Sequence, residues 1–117
     1  ADPKLAPYGQ AAVQTMSALG LLDALKPHWV TGENIAQTYQ FVATGNASLG
    51  FVALSQVLKD GKIEGSSWVV PAKLYTPIRQ DAVLLKTGAN NEAAIALMKL
   101  LQSPDIKTLI RSYGYDL

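Results

Sequence analysis

The stretch Leu49-Gly50-Phe51-Val52-Ala53-Leu54 is almost wholly apolar and lies between Asn46 and Ser55. A short unbroken apolar run of this kind is the pattern of a strand buried on both faces, and so central in an α/β sheet. Toward the C-terminus a short helix is predicted over 56–59, and Asp60-Gly61 and Gly65-Ser66 mark turns. Trp68-Val69-Val70 reads as a β segment ended by Pro71, whereas Pro77 makes 74–78 a connector. A further strand is predicted over 80–86, with Ala82, Val83, Leu84 and Leu85 at its centre.

Toward the N-terminus, Ala12, Val13, Met16 and Leu19 recur at helical spacing and predict a helix over 8–19 that Gly20 stops. Residues 21–25 form a short turn or second helix closed by Lys26-Pro27, and His28-Trp29-Val30 reads as a short strand. Asn34 is placed to cap a helix whose Ile35, Tyr39 and Val42 form an apolar stripe ending at Gly45-Asn46. Near the C-terminus, Asn90 or Asn91 caps a helix with Ala94, Leu97, Met98 and Leu101 on one face. Ser103-Pro104-Asp105 then opens a last helix, which carries Ile106, Leu109, Ile110 and Tyr113 and closes at Gly114. Alternating strands and helices predict an α/β layered fold.

With 117 residues, 49% hydrophobic and 16% charged, the chain is too apolar for disorder and sized for one domain or part of one. Ten Lys plus Arg against nine Asp plus Glu leave a net charge of +1 without clusters, so the electrostatic footprint of a nucleic-acid binder is missing. The chain contains no Cys, which excludes a disulfide framework, a zinc–thiolate site and a thiol nucleophile. No stretch reaches the roughly 18 to 20 consecutive apolar residues of a membrane span. The opening Ala1-Asp2-Pro3, with neither an initiator Met nor a leader, predicts a processed, trimmed or fragmentary chain.

Catalytic patterns are absent. The single His, His28, has no partner pattern, and Ser55 and Ser103 stand four residues before Lys59 and Lys107 rather than the three of a Ser-x-x-Lys nucleophile. Neither a phosphate-binding loop nor a dinucleotide fingerprint occurs, because Gly61 to Gly65 lacks both the spacing and the lysine. Two helix starts, Pro7-Tyr8-Gly9 and Glu33-Asn34-Ile35, follow turns and would offer free backbone N–H groups at a positive dipole end. In a parallel α/β sheet such starts lie at the edge where ligands bind, so two together could cradle a small anion; the alternative is that these are ordinary helix starts, which every helix has.

Asp2-Pro3-Lys4-Leu5-Ala6-Pro7-Tyr8-Gly9, Leu19-Gly20-Leu21-Leu22, Glu33-Asn34-Ile35, Leu49 to Ser55 and the closing Ile110-Arg111-Ser112-Tyr113-Gly114-Tyr115 are, in this order and spacing, similar to the periplasmic molybdate-binding proteins of ABC importers. Each motif is weak alone, but together they span nearly the whole chain. The resemblance implies a type II periplasmic binding protein, with three-layer lobes of mixed, mostly parallel sheet flanked by helices. Residues 1–79 would form most of the second, ligand-binding lobe, and 80–117 the crossover strand and C-terminal helices of the first lobe. The amino-terminal half of such a receptor would be missing, together with the Ser or Thr hydroxyls and loop amides it supplies.

By the same resemblance, the backbone N–H groups of Tyr8 and Ile35 would hold the molybdate or tungstate oxyanion, with Gly9 and Asn34 as supporting positions. Some members add a Tyr hydroxyl at the position of Ala53, a donor this chain lacks. No catalytic residue and no cofactor beyond the oxyanion is implied. The expected partners are the membrane permease of an ABC transporter and either the amino-terminal half or a swapped neighbouring chain; the expected location is the periplasm, reached with a signal peptide outside this sequence. A receptor of the same fold for sulfate or another small anion, and a regulatory or enzymatic domain reusing the lobe, are the alternatives.

Overall fold

Local signals decide most of the helices. The computed structural model describes all 117 residues. Helix α1 runs Pro7–Ala18, with proline in its first turn, where the missing N–H costs nothing. It ends in a Schellman motif: Gly20 adopts φ +69°, and its N–H and that of Leu21 donate to the carbonyls of Ser17 and Met16. A short α2, Leu22–Leu25, leads into a 3-10 turn over Lys26–His28 that holds Pro27.

Helix α3, Ile35–Ala43, is capped by Asn34, whose side chain accepts from the Gln37 N–H at 2.9 Å. Helix α4 is a single turn, Leu54–Val57. The C-terminal pair follows the expected caps closely. Asn91 caps α5, Glu92–Leu101, through the Ala94 N–H, and Ser103 caps α6, Pro104–Ser112, through the Ile106 N–H.

The strands depart from expectation. None of the segments 28–30, 49–54, 68–70 and 80–86 joins a ladder, and the mixed, mostly parallel sheet is not formed by these residues. The one sheet is an antiparallel hairpin of β1, Leu58–Lys59, and β2, Lys62–Ile63, in which Leu58 faces Ile63 and Lys59 faces Lys62. Its two-residue turn, Asp60 at φ 49° and Gly61 at φ 74°, has the two positive angles of a type I′ turn. The expected helix over 56–59 therefore begins and ends two residues earlier, at Leu54 and Val57, and its last two residues become β1.

A strand needs a neighbour for its outward N–H and C=O groups, and no stretch of this chain lies alongside the expected ones. Most of their residues stay outside regular structure, and much of their apolar surface is exposed. Leu49 is 81% exposed and Val83 78% exposed. The radius of gyration, 17.0 Å, exceeds the roughly 13 Å of a compact domain this long, so the apolar surface is not gathered into one closed core.

The stripe expected to be exposed on α5 and α6 is only partly so. Leu97 is exposed, whereas Leu101, Ile106 and Ile110 are half-buried where the two helices meet. Full burial is confined to seven residues. Gly9, Ala12, Thr15 and Met16 of α1, Gly32 and Thr38 around the start of α3, and Ala53 before α4 are the only buried residues.

Candidate functional site

Buried residues adjoin both helix starts, Gly9 at α1 and Gly32 and Thr38 at α3. Asp2 organises the approach to α1: its side chain accepts from the Lys4 N–H at 2.8 Å, and its carbonyl accepts from the Ala6 N–H at 2.8 Å. The Gly9 and Gln10 amides donate to the Ala6 carbonyl. Pro7 has no N–H, so Tyr8 carries the first free amide of α1, and no protein group accepts from it. Here the orphan donor of a helix N-terminus is a single, defined group.

At α3 the caps also leave a gap. The Asn34 side chain takes the Gln37 N–H, the Asn34 carbonyl takes the Thr38 N–H, and the Gln37 side chain takes the Glu33 N–H at 2.7 Å. The amides of Ile35 and Ala36 have no acceptor in the protein. Tyr8 and Ile35 thus stand at the first turns of two helices with unpaired N–H groups. Asn34 supports the second as its cap rather than as a donor of its own side chain. Glu33 contributes its backbone N–H to the cap while its side chain faces solvent.

The two approaches are joined directly. The Asp2 N–H donates to the Gly32 carbonyl at 2.9 Å. Gly9 and Gly32 permit this closeness: a Cβ on Gly9 would run into the Ala1 carbonyl oxygen and stand 2.8 Å from the Asp2 carbonyl carbon, and one on Gly32 would lie 2.6 Å from the Thr38 hydroxyl. Gly9 therefore lets the 1–2 backbone press against α1.

Three further residues brace the two helix starts, mostly through bonds between positions far apart in the sequence. Gln56 accepts the Ala53 N–H at 2.9 Å and donates to the Ile35 carbonyl at 3.1 Å, so one side chain caps α4 and steadies the first residue of α3. Because Ala53 is buried and its N–H is taken, this position supplies no donor to a ligand. Asp2 is the second, and Tyr115 the third, through a hydroxyl 3.2 Å from that of Ser55. The glutamine at the third position of α4 was the one readable hint, as half of a capping box. Gln56→Leu is expected to cost about 1 to 2 kcal/mol of stability, seen as a lowered melting temperature, because it strands the Ala53 N–H and frees the Ile35 carbonyl.

No Lys or Arg side chain takes part in these bonds, so the two helix starts offer neutral main-chain donors and the positive ends of α1 and α3. No group of three His, Cys, Asp or Glu that could hold a metal ion occurs. The model of the bacterial extracellular solute-binding protein family matches residues 1–116. The chain belongs to that family.

Among curated relatives, the molybdate-binding protein ModA of Azotobacter vinelandii is 59% identical over 118 residues, covering 100% of this chain and 47% of its own length. The protein of the same name from Rhodobacter capsulatus is 57% identical over 115 residues, covering 98% of this chain and 45% of its own. The solved structure of the Azotobacter vinelandii periplasmic molybdate-binding protein superposes with a TM-score of 0.90 at 40% identity, over 98% of this chain and 51% of that one. The chain spans about half the length of these relatives, and its fold is that of part of a periplasmic binding protein.

Proposed function

We propose that the protein to which this chain belongs is the oxyanion receptor of an ABC importer, taking molybdate or tungstate in the periplasm and delivering it to a membrane permease. The observation that carries the reading is the pair of unpaired amides, Tyr8 and Ile35, at helix starts joined through Asp2 and Gly32. The names of the relatives supply the ligand. In this reading residues 1–79 belong to the ligand-binding lobe, and 80–117 cross to the other lobe. The extended segments that find no ladder here pair in the complete two-lobed protein, and the other half supplies the remaining donors.

The chemistry is suited to a dianion. Molybdate must lose its water, and N–H groups fixed by capped helices replace that shell without a bulky cation. Because the donors are rigid, size selects: an ion with shorter metal–oxygen or sulfur–oxygen bonds leaves some donors unpaired, at roughly 1 to 3 kcal/mol each. Binding, not catalysis, is the role such a site performs.

A thermal-shift panel on the complete receptor tests the reading. Molybdate and tungstate are expected to raise the melting temperature well above sulfate or small organic anions, since a ligand of the native state stabilises it by mass action. A rise with sulfate or an organic anion alone would overturn the ligand assignment. A second prediction concerns the permease. Lys59 and Lys62 face each other across the exposed hairpin, and charge reversal at both is expected to lower molybdate uptake in cells without changing the anion affinity of the purified receptor.

A further inference from the structure

Tyr8 presents two groups to two different tasks. Its amide is the unpaired donor at the start of α1, while its hydroxyl accepts a hydrogen bond from the Gln80 side chain at 3.0 Å. Tyr115 adjoins the same hydroxyl, and the Tyr115 hydroxyl in turn lies 3.2 Å from that of Ser55 on α4. Gly114 lets the tail approach, since a Cβ there would stand 2.8 Å from the Leu54 side chain. One ring therefore links the first turn of α1 to residues 72 and more positions away in the chain. The link to 76–80 is doubled, because the Thr76 N–H donates to the Gln14 side chain of α1 at 2.7 Å.

We propose that Tyr8 is a positioning residue as well as an amide donor: its hydroxyl, held by Gln80 and Tyr115, fastens the anion-facing turn of α1 to the crossover segment and the C-terminal tail. The inference rests on the receptor reading. Burial, and after it the neighbouring Tyr115, push the Tyr8 hydroxyl above the ordinary tyrosine range, against the opposing pull of the Gln80 bond, so the Tyr8 hydroxyl stays uncharged beside a bound anion. In a receptor that closes over its ligand, release requires the lobes to part. A side-chain latch between the donor helix and the crossover therefore acts on release more than on capture.

The test uses the complete receptor and molybdate itself, with stopped-flow association and dissociation rates for wild type, Tyr8→Phe, Gln80→Leu and the double variant, and with apo melting temperatures as a control. Each single variant is expected to raise the dissociation rate about three- to tenfold with little change in association rate, and the double variant to match the worse single one. Tyr115→Phe provides the same reading should Tyr8→Phe fold poorly. Unchanged dissociation rates with a lowered melting temperature would reduce the cluster to packing and overturn the proposal, as would additive effects in the double variant. A wild-type receptor that ignores molybdate and tungstate would overturn the receptor reading and this inference together, whereas a binding wild type with indifferent variants overturns this inference alone.

Discussion

Replacing Ile35 with proline is expected to weaken molybdate binding by the complete receptor about 10- to 150-fold while leaving its fold intact. Ile35 is the first residue of α3, and its N–H makes no bond within the protein, so the helix loses nothing when proline removes it. Asn34 already has the extended backbone that a residue before proline prefers, at φ −144° and ψ 175°. If the Ile35 amide holds the oxyanion, what disappears is one hydrogen bond to a charged ligand, worth about 1.5 to 3 kcal/mol, and tenfold in affinity is about 1.4 kcal/mol. Ile35→Val keeps the amide and is expected to bind almost as wild type. Calorimetry on both variants decides the matter, because equal losses would mean that the side chain, not the main chain, is the contact.

Gly9→Ala and Gly32→Ala are expected to be the most damaging of the small substitutions. At Gly9 the added methyl would meet the backbone of residues 1 and 2, which cannot rotate away as a side chain can. At Gly32 it would meet the Thr38 hydroxyl and stand 2.9 Å from the Thr38 N–H nitrogen, in the first turns of α3. Overpacking of this kind costs about 1 to 3 kcal/mol, roughly 2 to 12 °C in the melting temperature of a receptor twice this length. Each change also pushes on the Asp2–Gly32 bond, so affinity should fall with stability. Gly50→Ala is a useful contrast, since the added methyl would meet a Val42 side-chain methyl rather than backbone. Parallel thermal melts of the three variants check the ranking.

The helices were legible because their instructions are local. Asn34, Asn91 and Ser103 cap with their own side chains, Pro7 and Pro104 sit in first turns, and Gly20 takes a positive φ one residue past the C-cap of α1. The strands were not legible in the same way. The apolar run at 49–54 correctly signals burial at Ala53, but a ladder is a property of two segments, and the run cannot name its partner. The hairpin shows the opposite error. Asp60-Gly61 announces a tight turn, yet Leu58, Lys59, Lys62 and Ile63 carry too little alternation to read as strands.

The site divides along the same line. Free amides at Tyr8 and Ile35 follow from caps and a proline that lie within a few residues of them. The contributions of Gln56, Asp2 and Tyr115 come from bonds reaching 21, 30 and 60 positions along the chain, to Ile35, Gly32 and Ser55, which no spacing rule encodes.

The most direct measurement is an amide-resolved NMR titration of the complete, nitrogen-15-labelled receptor with molybdate. If the main-chain amides of Tyr8 and Ile35 hold the oxyanion, their proton resonances move downfield together, in proportion to occupancy and further than those of the already bonded Gln37 and Thr38 amides. Saturable molybdate binding that leaves the Tyr8 and Ile35 amides unmoved, with the large shifts elsewhere, would contradict the account.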